Sequence, residues 1–133
     1  LMKRIISFSD KRLAAFIANS FREIFSYLSI DTEILMSSDI PKDNSLRGKD
    51  KILQICEILG ADTYYNAIGG QNLYDKKEFS EHGIVLNFVD TIPKEYSQLR
   101  TKEFVPYLSM IDVLMNNTKD EVNDLLDSFC VRY

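Results

Sequence analysis

An α/β fold built on a small parallel sheet is what this chain of 133 residues predicts. Segments whose apolar residues recur at helical spacing alternate with short β-rich runs. Strands separated by helices imply parallel pairing through right-handed crossovers. Turn signals such as Gly60, Gly69-Gly70 and Gly83 fall between these segments. The expected architecture is a three-layer arrangement, with about three parallel strands and flanking helices. It resembles half of a Rossmann-like fold, in a single domain over residues 1–133.

Ser9 is placed to cap a helix over residues 10–28. Leu13, Phe16, Ile17, Phe21, Ile24, Phe25 and Leu28 form its apolar face. Residues 30–36, Ile-Asp-Thr-Glu-Ile-Leu-Met, read as the first strand. Ser37, Ser38 and Asp39 follow, and Pro41 disfavours regular structure. A second helix spans residues 49–59, with Ile52, Leu53, Cys56 and Leu59 inward and Gly60 as its left-handed closing residue.

Residues 63–66 are the second strand, ended by Gly69-Gly70. A short helix over 73–80 stops at Gly83, and 84–89 is the clearest strand. Residues 90–98 form a loop containing Pro93. Residues 108–116 are helical. Thr118 then caps a last helix, with Glu121 completing a capping box and Val122, Leu125, Leu126 and Phe129 as its inner stripe. A three-stranded parallel sheet leaves edges open, which points to a further partner, either another segment or another subunit.

Hydrophobic content of 45% and charged content of 27% fit a soluble globular protein. No apolar run approaches the roughly 20 residues that span a bilayer. The basic and briefly apolar start is interrupted by Ser9-Asp10-Lys11-Arg12, unlike a secretory signal, so a cytoplasmic location is expected. The net charge of −4, with signs interspersed, argues against nucleic-acid binding. Cys56 and Cys130 lie in apolar helical patterns and read as buried free thiols. His82 has no second histidine or cysteine pair nearby, which argues against an imidazole or thiolate metal site. Nothing names a cofactor.

In open parallel sheets, ligands bind beyond the carboxyl ends of the strands. Those ends are residues 37–39, 66–70 and 90–91. Gly69-Gly70 either lets backbone amides approach an anion or merely permits a tight turn. Gly48-Lys49 is no phosphate loop, because the upstream glycine is missing and Asp50 stands where Ser or Thr belongs. Asp39, Asp43, Asp62, Asp75 and Asp90 lie near the rim; two of them could act as acid and base or bind a divalent ion through oxygen, but no spacing singles out a pair, and most read as turn or cap residues. His82 reads as a surface helix cap rather than a base. Ser109 and Asp112 share one helical face. Their preferred reading is that Ser109 caps the helix and Asp112 anchors the loop of Tyr96 and Gln98. Tyr64, Tyr65, Tyr74, Tyr96 and Tyr107 serve equally as ligand-stacking groups or half-buried core.

Several segments together carry a family resemblance: Gly48-Lys49-Asp50, the run from Leu59 to Tyr64, Gly69-Gly70 with Tyr74, Tyr96 with Gln98, and Phe104 followed by Leu108-Ser109 and Asp112. With them the chain resembles the WbqC-like protein family from about Ile30 to its end, and more loosely back to Asp10. The family's opening Gln-Pro and Gly-Tyr-Phe segment has no counterpart here, and the chain starts at Leu1. The resemblance therefore implies the C-terminal part of a longer protein.

It further implies a role in bacterial O-antigen or capsule assembly, with transfer of an aminoacyl or acyl group to a nucleotide-linked amino sugar. The family's recurring residues present here are Asn66, Gly69, Gly70, Tyr74, Tyr96, Gln98, Ser109 and Asp112. These are the expected ligand-binding residues, and no catalytic residue is singled out. A sugar nucleotide is the expected small-molecule partner, with homo-oligomer formation allowed. The competing expectation is a non-catalytic scaffold that associates through an exposed sheet edge.

Overall fold

The structure, a computed structural model, describes residues 1–99 and 103–133. Its elements run α1 (Met2–Ile6), α2 (Leu13–Leu28), α3 (Gly48–Leu59), β1 (Thr63–Ala67), α4 (Lys76–Glu81), β2 (Val85–Thr91), α5 (Met110–Asn116), α6 (Lys119–Leu126) and β3 (Phe129–Arg132). Short 3-10 turns occupy Ser37–Asp39 and Ile68–Leu73. The chain divides into two compact units. One comprises Leu1–Ser37 with Lys94–Asp127, the other Ser38–Pro93 with Ser128–Tyr133. Among the described residues no helix is long and apolar enough to cross a membrane.

The first unit is helical. α2 packs on α1 and α6, and α5 packs on α6. α2 begins at Leu13 rather than at residue 10, and Ser9 does not cap it. The Asp10 carboxylate instead accepts the Arg12 backbone N–H (3.0 Å) and its guanidinium (2.6 Å). That local turn keeps Arg12 extended, with ψ at 129°. Ser29, in the left-handed region, closes α2, and its hydroxyl accepts from Lys119 Nζ at 2.7 Å. Next to Lys119, Thr118 caps α6 and Glu121 completes the expected capping box, with Val122 fully buried beneath.

Residues 30–36 are not a strand, which corrects the sequence reading. The alternation is present, but an extended segment becomes a strand only by pairing, and this one pairs with none of the sheet's strands. Leu35, which the pattern would place in a sheet, is 49% exposed.

The second unit holds the sheet, in the order β1-β2-β3. β1 and β2 are parallel as expected, in register from Thr63↔Val85 to Ala67↔Val89. The crossover runs through the 3-10 turn and α4, where the Asp75 side chain caps by accepting the Lys77 N–H (2.7 Å). α3 ends at Gly60, whose φ of 62° is the left-handed conformation expected there. Leu53 and Cys56 of α3 pack with Phe79, Ile84, Leu86 and Phe88 into one core.

The third strand is Phe129–Arg132, and it runs antiparallel to β2. The sheet therefore has the expected number of strands, with one parallel pair and one antiparallel edge. Phe129 belongs to this strand and not to the inner stripe of α6. Cys130 is accordingly a half-buried strand thiol, whereas Cys56 is buried in the core; both are free.

Candidate functional site

The eight residues expected at a ligand site divide between the units. Asn66, Gly69, Gly70 and Tyr74 lie in the second, and Tyr96, Gln98, Ser109 and Asp112 in the first.

In the second unit, the parallel pairing brings the carboxyl ends of β1 and β2 side by side, so residues 66–72 and 90–91 share one rim. Asn66 accepts the Ala67 N–H through Oδ1 (2.8 Å), and its Nδ2 faces Gly70. A Cβ at Gly70 would lie 2.5 Å from that nitrogen, so any side chain there forces Asn66 to shift from its place. Gly69 is exposed, and a Cβ there would meet nothing.

Tyr74 turns into an aromatic cluster rather than toward the rim. It meets Tyr64 and Phe79 edge-on, and Tyr64 stacks on Phe79 with centroids 5.6 Å apart. Burial, and next the neighbouring Tyr74, pushes the Tyr64 hydroxyl up to about 12. Tyr65 is 55% exposed.

The rim also holds a group that the sequence reading missed. Arg132 donates to Asp90 Oδ2 through Nη2 (3.1 Å) and Nε (3.3 Å), and the Cys130 thiol lies 4.0 Å from the same oxygen. Asp90 was legible as a rim carboxylate, but its partners sit on β3, whose residues read as a helix. The other side chains of interest in this unit are held structurally. Lys49 pairs with Glu78, and His82, which closes α4, pairs with Glu57 at 2.6 Å.

In the first unit, Tyr96 donates its hydroxyl proton to Asp112 Oδ2 at 2.6 Å. Gln98, buried, donates to the same oxygen (3.2 Å) and to the Val105 carbonyl (3.0 Å), while its own oxygen accepts the Val105 N–H (2.8 Å). Ser109 caps α5 by accepting the Ile111 N–H at 3.0 Å. Asp112 thus anchors the Tyr96–Gln98 loop, the arrangement the spacing favoured. Burial first, then the bond to Asp112, raises the Tyr96 hydroxyl above its ordinary value.

Asn116, which the sequence did not flag, completes this network. It donates to Asp112 Oδ1 (3.1 Å) and accepts the Leu99 N–H (3.0 Å). Four side chains in the network satisfy one another, which gives a rigid polar cluster of fixed geometry. Among the described residues no group of three His, Cys, Asp or Glu side chains is arranged to hold a metal ion.

The sheet with its parallel pair, its rim and a hydrogen-bonded Tyr–Gln–Asp cluster defines a mixed α/β protein with two polar sites. Its family is settled by comparison: the chain belongs to the WbqC-like protein family, which matches residues 1–124 of the 133. The match reaches the first residue and includes both polar sites, while β3 lies beyond it. No curated protein and no solved structure matches the chain.

Proposed function

We propose that this protein serves the cytoplasmic assembly of bacterial surface polysaccharide, O-antigen or capsule, as an enzyme or the substrate-binding part of one. The proposed reaction is transfer of an aminoacyl or acyl group to a nucleotide-linked amino sugar. Membership of the WbqC-like family supports the setting. One observation carries the ligand-binding reading: the parallel pair β1–β2 gathers Asn66–Gly70 and Asp90 at the end of the sheet where α/β proteins bind ligands. Gly69, Gln71 and Asn72 are exposed on that turn and offer backbone and side-chain amides to a phosphate or a sugar hydroxyl. Tyr96, Gln98 and Asp112 form the second polar cluster of the proposal, and Ser109 caps the helix that carries Asp112.

A thermal-shift titration with nucleotide-linked amino sugars tests it, since a ligand of the native state raises apparent stability by mass action. Asn66→Ala and Gly69→Ala are the informative variants, because neither introduces the clash that any side chain at Gly70 makes with Asn66. The shift is expected in the unaltered protein and lost in Asn66→Ala. An undiminished shift in both variants removes this turn from the site.

A second reading, a scaffold that recruits a partner strand, rests on β1 being an edge strand. Tyr65, within that strand, is 55% exposed. A strict monomer in sedimentation, at all concentrations, counts against that reading.

A further inference from the structure

The fold leaves both a strand-forming segment and a strand edge without a partner. Residues 30–36, in the first unit, are extended and join no strand of the sheet. β1, in the second unit, is an edge strand with β2 on one side only. We propose that the 30–36 segment of one copy of this chain adds to the β1 edge of a second copy, reciprocally, in a symmetric dimer. This rests on the scaffold reading and names its partner; the sugar-nucleotide reading does not depend on it.

The donated segment is free from its first residue onward. The Ile30 N–H still closes α2 by donating to the Phe25 carbonyl (2.9 Å). Beyond it, the backbone of residues 31–36 makes no hydrogen bond among the described residues. The side chains already follow the period of a strand. Ile30, Ile34 and Met36, on one side of an extended chain, are half-buried, while Asp31, Glu33 and Leu35 on the other are exposed.

The open side of β1 follows from its bonded side. In a parallel pair, every second residue turns both of its backbone groups to the partner strand. The Asp62 carbonyl accepts the Val85 N–H (2.8 Å), so Tyr64 and Asn66 turn theirs to β2, and Thr63 and Tyr65 turn theirs outward. The Ala67 N–H is taken by Asn66 Oδ1 (2.8 Å), which closes that end of the edge. Charged side chains and prolines commonly guard a sheet edge, and Thr-Tyr-Tyr-Asn-Ala contains neither. The opposite edge, β3, carries Arg132. Every copy thus brings one free strand and one unguarded edge. A reciprocal exchange pairs both in both copies and closes on itself, whereas a one-way exchange would run on as a filament.

The test is sedimentation velocity of the full chain over a concentration series, with two proline variants. Proline removes the N–H that a strand junction needs, and an edge position whose N–H points outward tolerates it. Glu33→Pro disables the donated segment, and Tyr65→Pro disables the receiving edge. The unaltered chain is expected to dimerise. Each variant alone should raise the dissociation constant at least about ten-fold, the scale of one backbone hydrogen bond. An equimolar mixture of the two should recover a dimer, because Tyr65→Pro still donates a segment and Glu33→Pro still receives one. A second measurement needs no altered fold: a peptide of residues 30–36 should dissociate the unaltered dimer and slow hydrogen exchange at the Thr63 and Tyr65 amides. A strict monomer, a mixture no more associated than its components, or a peptide without effect on those amides overturns the proposal. A dimer that survives both substitutions also overturns it, and leaves the scaffold reading to a different partner strand.

Discussion

At Gly70 a single missing methyl group decides the turn after β1. Gly70→Ala would set a Cβ 2.5 Å from Asn66 Nδ2, so it is expected to cost about 1–3 kcal/mol, the range of overpacked sites. Asn66→Gly should recover most of that loss, which a double-mutant cycle in urea measures directly. Gly69→Ala has open space and should stay within about 0.5 kcal/mol. Equal losses at both glycines would mean that the turn's conformation, not the Asn66 contact, sets the requirement. The sequence displayed the glycine pair but not which member was needed, because the deciding neighbour lies four residues upstream and meets Gly70 only once the 3-10 turn has formed. Tyr64 makes a second residue-scale prediction. Its hydroxyl stays neutral in the fold up to about 12 against an ordinary value of 10, so the unfolded chain ionises first. The associated stability is whole below pH 10 and is lost as the pH rises through 12. Tyr64→Phe should therefore flatten the alkaline limb of a thermal-unfolding profile; an unchanged limb would assign it to other tyrosines.

Among the elements, those set by neighbours in sequence were the legible ones. Thr118, Glu121 and the apolar run behind them spell out α6 because a capping box is local, and Gly60 closes α3 for the same reason. β3 was not legible. Phe129 follows Leu125 and Leu126 by four and three residues, so the helical period runs on through it, and only pairing with β2 reveals the strand. The same logic misplaced a strand at residues 30–36, where the alternation exists without a partner. The capping box gives a prediction at this scale. Thr118→Ala should cost about 1 kcal/mol at neutral pH. Hydrogen bonds from the Thr118 backbone N–H, and then from its hydroxyl, hold the Glu121 carboxyl below its ordinary 4.5. The stability linked to Glu121 is present above 4.5 and is lost as pH falls through the lowered value. Circular-dichroism melting should show a shallower acid limb in Glu121→Gln, which removes the titrating group itself. An acid limb as steep as before would place the linkage elsewhere.

For the whole molecule, the chain's two units are each assembled from two separate stretches, and the last six residues return to the sheet. That return is the part of the fold farthest from any local signal, and it also lies outside residues 1–124, which the WbqC-like family matches. The parallel pair β1–β2, with the Asn66–Gly70 turn, lies inside the match. β3 lies beyond the match and forms the antiparallel edge of the sheet. It is held by the register from Phe88↔Arg132 to Thr91↔Phe129, by the Ile92 N–H bond to the Ser128 carbonyl (2.9 Å), and by the Asp90–Arg132 pair at 3.1 Å. Deleting residues 128–133 should then speed hydrogen exchange at the β2 amides that face β3. Protection of the β1–β2 ladder and of α3 should remain, and so should any ligand response that depends on Asn66. Exposed strand edges invite association, so the shortened chain should also self-associate more readily in sedimentation. Collapse of protection throughout β1, β2 and α3 would show instead that the parallel pair cannot stand without its antiparallel neighbour. The rim proposed to bind the sugar nucleotide would then depend on residues beyond the family's matched segment.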